Sequence, residues 1–70
     1  MELTNKEKML LEDQLQAEYL CISKYKSYET QAVDPEIKYI FNMVYKQEQQ
    51  HANAIKDLLI QGGFEPPPQQ

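Results

Sequence analysis

The chain has no arginine and only one cysteine, and both scarcities exclude classes of protein. Because Cys21 has no second cysteine to pair with, no internal disulfide can form, and this usage fits a reducing compartment. Arginine is the usual residue for binding phosphates and reading base edges. Its absence, together with a formal charge of −4, predicts no nucleic-acid partner and no attachment to an anionic membrane surface.

Long apolar stretches are also absent. No segment approaches the roughly 20 apolar residues that cross a membrane, and the first residues show no basic-then-apolar signal sequence. We therefore expect no membrane partner and a cytoplasmic location when the chain is synthesised. A chain of 70 residues forms one domain at most and buries a modest fraction of its surface. Domains of this size depend on disulfides, metal or oligomerisation, and only the last two remain here.

A first long helix is predicted by its start signal and by the absence of breakers. Thr4 followed by Glu7 is a capping box, in which each side chain bonds the backbone of the other residue. No glycine or proline interrupts the chain from about residue 5 to about residue 31. Alternation at period two persists nowhere in the sequence, so no β-strand is predicted.

A second helix is predicted from about residue 35 to about residue 61. Asp34 is its N-cap, Pro35 occupies the first helical position, and Gly62-Gly63 supplies a left-handed stop. Because only a few residues connect the helices, they should be antiparallel neighbours. The sequence predicts an all-α helical hairpin over residues 1–63, followed by an extended Pro/Gln-rich tail over residues 64–70.

Each predicted helix has one inward face that is mostly apolar. Steps of three and four residues place each set of inward positions on a single helix face. In the first helix these positions are Leu11, Leu15, Glu18, Ile22, Tyr25 and Glu29. In the second helix they are Ile37, Phe41, Val44, Glu48, His51, Ile55 and Leu58. Glu18, Glu48 and His51 interrupt these stripes with the residue types that bind transition metals through oxygen and imidazole nitrogen.

Taken one at a time, these three residues have ordinary structural explanations. An inward glutamate is often protonated or paired with lysine, and a lone inward histidine is often hydrogen-bonded in a core. Counting outward from Val33 pairs Glu18 with Glu48, so a turn there places both carboxylates about 22 Å from it, at 1.5 Å per residue. His51 lies one turn further along. The combination therefore favours a metal site.

Two helices side by side cannot cover both apolar stripes, so self-association is also predicted, and the charge of these residues then supports the metal site. Two hairpins paired by twofold symmetry would form a four-helix bundle that buries all four stripes. Four glutamates and two histidines would then converge, and each uncompensated carboxylate costs several kcal/mol. The carboxylates must either take up protons or hold cations. Two divalent ions would balance the charge, so we expect a homodimer or a higher oligomer with two metal ions per dimer.

One glutamate from a first helix and Glu-x-x-His from the next, doubled, resembles the ligand set of ferritin-like di-iron carboxylate proteins. The resemblance implies that Glu48 bridges two metals and that Glu18 and His51 are terminal ligands. It implies iron as the metal, with manganese or zinc as alternatives. It also implies a tyrosine near the metals, here Tyr25, and a ferroxidase or peroxide-reacting activity whose occurrence the sequence leaves open.

The short chain is similar to encapsulated ferritins, whose subunits build the di-iron site across a dimer interface. Those ferritins carry further acids for metal entry where Ala17 and Leu20 stand here, beside Glu18. The resemblance to them therefore covers the ligands and the size of the chain. It does not extend to dedicated iron mineralisation.

A second resemblance covers nearly everything from Leu10 to Leu59. The runs that carry it are Leu10-Leu11-Glu12-Asp13-Gln14-Leu15, Lys24-Tyr25-Lys26-Ser27-Tyr28, Asp34-Pro35-Glu36 and Gln47-Glu48-Gln49-Gln50-His51, and they resemble the spore coat protein F-like family. This resemblance implies a ferritin-like helical fold, a location in the endospore coat and other coat proteins as partners. Members of that family often lack a full ligand set, so a purely structural role is the alternative to metal chemistry.

The remaining aromatic and tail residues have simpler interpretations. Tyr19, Tyr28, Tyr39 and Tyr45 flank the inward stripes, and we expect them to cover the edges of the bundle with hydroxyls in water. The proline-rich tail is expected to be a frayed end.

Overall fold

The computed structural model describes residues 1–69, and they form two long helices joined by a short connection. Helix α1 spans Asn5–Gln31 and helix α2 spans Pro35–Gln61, with 27 residues each. The helices pack against each other in a molecule that measures 46 × 15 × 15 Å. No strand occurs in this part of the chain, so the predicted all-α helical hairpin is confirmed. Neither helix is long and apolar enough to cross a membrane.

Side-chain caps fix the beginnings of both helices. The hydroxyl of Thr4 accepts a hydrogen bond from the Glu7 amide at 3.0 Å, and the Glu7 carboxylate accepts from the Thr4 amide at 2.9 Å. These bonds form the predicted capping box, and the backbone donor lowers the pKa of the Glu7 carboxyl. At α2 the Asp34 carboxylate accepts from the amides of Glu36 and Ile37 at 2.8 and 3.4 Å.

The end of α2 turns the chain back toward the helices. The Gly63 amide donates to the Ile60 carbonyl, and the Phe64 amide donates to the Leu59 carbonyl, both at 2.9 Å. This pair of bonds is the Schellman arrangement, and Gly63 has the left-handed φ of 86° that it requires. Glycine adopts that φ without the steric cost of a Cβ.

The apolar core of the single chain is small. Its buried members are Leu15, Tyr19, Ile22, Ala52 and Leu59. Leu3, Leu11, Ile55 and Phe64 are partly buried against them. Large apolar side chains nevertheless remain exposed at both ends of the hairpin, including Met1 and Leu10 at one end and Tyr28 and Ile37 at the other. One hairpin therefore leaves part of its apolar surface uncovered.

The tail packs against the helices, so the expectation of a frayed end was wrong. The Tyr19 hydroxyl donates to the Pro67 carbonyl at 2.8 Å, and the amides of Gln49 and Gln69 exchange two hydrogen bonds at 3.1 and 3.0 Å. Tyr19 is only 7% exposed, so the expectation that its hydroxyl would reach water was also wrong. The turn at Gly63 is the physical reason, because it directs the tail along the hairpin. The last residue of the predicted tail, position 70, lies outside the described residues.

Candidate metal centre

The three predicted ligands lie together halfway along the hairpin. Glu18 is the central residue of the 27 in α1, and Glu48 is the central residue of the 27 in α2. Because each helix rises by a constant amount per residue and the connection is short, the two central residues face each other. His51 follows Glu48 by three residues and so lies on the same side of α2, nearly one turn further.

The ligand atoms of this cluster are close to one another. His51 Nδ1 is 3.5 Å from Glu48 Oε1 and 4.0 Å from Glu18 Oε2. One atom from each residue lies within 4.8 Å of the others. The side chains are 9% exposed for Glu18, 22% for Glu48 and 62% for His51. Glu18 therefore forms the floor of the site, and His51 forms its rim in the single chain.

The two oxygens of Glu18 have different surroundings. Oε1 accepts a hydrogen bond from the Gln14 side-chain amide at 2.7 Å. Oε2 is buried, and within residues 1–69 no hydrogen-bond donor reaches it. A buried polar group without a partner costs about 1–3 kcal/mol, and more if it is charged. Oε2 is therefore satisfied only if a neighbouring group donates a proton to it or if a cation binds it.

Glu48 is the neighbouring group that can supply the proton. Its pKa is raised, chiefly by a hydrogen bond to Glu18, which forms only when Glu48 is protonated. Burial and the negative charge of Glu18 raise this pKa further, whereas His51 opposes them. Without a cation, the two carboxyls therefore tend to share one proton.

The donor set fits a divalent transition metal. Metal–ligand bonds of about 2.0–2.2 Å in tetrahedral geometry place neighbouring ligand atoms roughly 3.3–3.6 Å apart. The cluster is wider than this, since His51 Nδ1 lies 3.5 and 4.0 Å from the carboxylates and the three ligand atoms lie within 4.8 Å of one another. The widest pair would therefore close by at most roughly 1.5 Å around an ion. Two carboxylates neutralise one divalent ion, and carboxylate with imidazole suits iron, manganese or zinc.

Tyr25 is not a member of this cluster. Its ring stacks on Phe41 with centroids 6.1 Å apart and meets the edge of Tyr28 at 5.9 Å. These rings form an aromatic cluster between the site and the connection, so the catalytic role of Tyr25 stays a prediction.

Gln14 is the site residue that the inward stripes did not reveal. It precedes Glu18 by four residues, and side chains at that spacing on a helix are neighbours. The four-residue spacing is therefore a signal for this contact, although an amide is not among the usual metal-ligating residue types.

No protein-family model, no curated protein and no solved structure matches the chain. The resemblances to ferritin-like and spore coat proteins therefore stand on the residues quoted above.

Proposed function

We propose that this protein binds a divalent transition metal through Glu18, Glu48 and His51. One observation carries the proposal: Glu18 Oε2 is buried without a donor, and it faces a second carboxylate and an imidazole. An unpaired buried oxygen is costly unless something positive binds it. A cation between the three side chains removes that cost and the repulsion between the carboxylates together.

Among residues 1–69, a protonated His51 is the one side-chain cation within 4.0 Å of the two carboxylates. No lysine lies within 4.0 Å of either carboxylate in the described part of the chain. A protonated His51 would supply a single positive charge against two negative ones. His51 is also the most exposed member of the cluster, so water would weaken the attraction between its charge and the two carboxylates. A divalent ion would balance both carboxylate charges, whereas a protonated His51 would balance only one.

We further propose that two hairpins pair to form a ferritin-like four-helix bundle. Two apolar hollows lie along the stripes that carry the site, one near each end of the molecule. Leu3, Leu10 and Leu58 line the first hollow, and Ile37 and Phe41 line the second. Because the ligands lie at the helix centres, end-over-end pairing by a twofold axis brings the two sites together while both hollows are covered.

This homodimer would hold two metal ions against four carboxylates. Iron is the leading metal by resemblance to di-iron carboxylate proteins, and ferroxidase or peroxide chemistry would then need an open coordination position. The ligands would be the same for manganese or zinc. A spore coat location belongs to the proposal through the resemblance alone.

A structural role without metal is the second candidate. The raised pKa of Glu48 supports it, because a proton shared by the two carboxyls also satisfies the buried oxygen. In that case the scaffold would serve assembly, in a spore coat or elsewhere, and the polar cluster would have no catalytic function.

Native mass spectrometry before and after anaerobic Fe(II) addition separates these candidates. The metal proposal expects a dimer that gains two ions, and it expects Glu48→Ala to lose both. Asp57→Ala is the matched control, since it removes an exposed acid from the same helix. A stable dimer that takes up no iron, manganese or zinc would leave the structural role, and a monomer at all concentrations would exclude the interface.

A further inference from the structure

We infer that Gln14 holds Glu18 as a one-oxygen ligand and thereby favours transition metals over Ca²⁺ at this site. The inference rests on the proposed metal site and concerns how that site selects its ion. Gln14 does not touch the metal in this scheme. It acts through Glu18 and is a positioning residue.

The contact between the two side chains is short and its direction is defined. Gln14 Nε2 lies 2.7 Å from Glu18 Oε1, at the short end of the range for N–H···O bonds. The amide nitrogen of Gln14 donates, and the carboxylate oxygen of Glu18 accepts.

Because of this bond, the two carboxylate oxygens of Glu18 have different partners. Oε1 accepts the bond from the amide, and Oε2 lies 4.0 Å from His51 Nδ1. For both oxygens to bind one ion, Oε1 would have to use its remaining lone pair in competition with the bond to Gln14, whereas Oε2 has no competing donor within residues 1–69. The contact therefore favours binding through Oε2 alone. Gln14 and Glu18 are on the same helix, so this orientation is present before any metal or partner arrives.

One-oxygen binding has a consequence for ion selection. Ca²⁺ takes six to eight oxygen ligands at about 2.3–2.6 Å and commonly uses carboxylates through both oxygens. A site with Glu18 restricted to one oxygen and with imidazole as a ligand supplies too few oxygens for that ion. Iron and zinc bind imidazole well, and zinc commonly takes only four ligands.

Replacing Gln14 by methionine tests this role, because methionine has a similar length and no N–H donor. Zn²⁺ and Ca²⁺ affinities are measured for the full chain, by competition with a chelator, together with the infrared carboxylate stretches. We expect Zn²⁺ affinity to fall about 10–100-fold, the usual effect of losing a residue that orients a ligand. We also expect the preference for Zn²⁺ over Ca²⁺ to narrow. The separation of the carboxylate stretches should change from the one-oxygen to the two-oxygen pattern.

Two further variants complete the experiment. Glu18→Gln identifies the infrared band that belongs to this carboxylate. Gln16→Met is the matched control: the same substitution, on the same helix, at an exposed position two residues away that faces the other side. It should change neither affinity nor spectrum.

Each outcome decides one question. If wild type binds no Zn²⁺, the proposed function fails, and this inference fails with it. If wild type binds Zn²⁺ and Gln14→Met matches it in affinity and infrared pattern, Gln14 has no positioning role and the metal site stands. A loss of affinity that follows a loss of metal-free stability, with the one-oxygen pattern retained, also overturns the inference.

Discussion

Replacing Glu18 by leucine should stabilise the metal-free protein. The substitution removes a buried carboxylate whose Oε2 has no donor among the described residues, and it places an apolar side chain beside Leu15 and Ile22 on the inward stripe. A buried unsatisfied group costs about 1–3 kcal/mol, so we expect a gain of that size in the free energy of unfolding. For a domain of 60–100 residues, each 1 kcal/mol raises Tm by about 4–8 °C.

Added metal should make wild type more stable than Glu18→Leu, the reverse of the order expected without metal. A ligand present at 100 times its Kd stabilises the folded state by about 2.7 kcal/mol. Wild type should gain that increment with Zn²⁺, whereas Glu18→Leu should gain almost none. The thermal unfolding of both proteins would be followed by circular dichroism at one fixed protein concentration, first with EDTA and then with Zn²⁺. Fixed concentration matters because Tm depends on it in a dimer.

The stability of Glu18→Leu should also depend less on pH than the stability of wild type. The pKa of Glu48 in the folded protein is raised, chiefly by its bond to Glu18, so its contribution to stability is complete below the unfolded value near 4.5. That contribution is lost as the pH rises through the folded-state value. Metal-free wild type should therefore weaken over this range, and Glu18→Leu should weaken less, because the main cause of the shift is gone.

The control is Asp13→Leu, which removes an exposed acid from the same helix and should change stability by less than about 0.5 kcal/mol. The reasoning is refuted if Glu18→Leu is less stable than wild type in EDTA. Such a result would mean that water or a different side-chain arrangement already satisfies the buried oxygen.

The remaining predictions concern the tail. Tyr19→Phe removes the hydroxyl bond to Pro67 and should cost about 0.5–1.5 kcal/mol in urea unfolding, with metal affinity unchanged. An unchanged urea midpoint would show that the tail does not dock in solution. Gly63→Ala places a Cβ at a φ of 86° and should cost about 1 kcal/mol. Gly63→Asn, which tolerates that conformation better, should recover part of the loss, and equal stability of the two variants would contradict the explanation.

The helices and the meeting of the two glutamates could be predicted because both follow from local rules. Capping residues at Thr4 and Asp34 act on the next few amides, and their signals are visible in the sequence. The pairing of Glu18 with Glu48 needs only a constant helical rise and a short turn. The contact of Gln14 with Glu18 follows the same kind of rule at four-residue spacing.

The tail and the exposure of His51 depend on information that local patterns do not contain. The bond from Tyr19 to Pro67 joins residues 48 positions apart, and no periodicity relates them. The exposure of His51 depends on how far α2 is rotated about its own axis when it packs against α1. An apolar stripe wider than 100° leaves that rotation loosely defined.

The docked tail also has a consequence for the proposed pairing of two hairpins. Two packed helices have a groove on each side, and the tail fills the side marked by Tyr19 and Gln49. Gln49 and His51 are two residues apart, so at 100° per residue they point to opposite sides of α2. The groove beside His51 is thus the one that the tail leaves open for the proposed second copy. If two hairpins pair as proposed, a twofold pair uses the same face on both partners, so that contact would close at two chains and would not propagate into a filament.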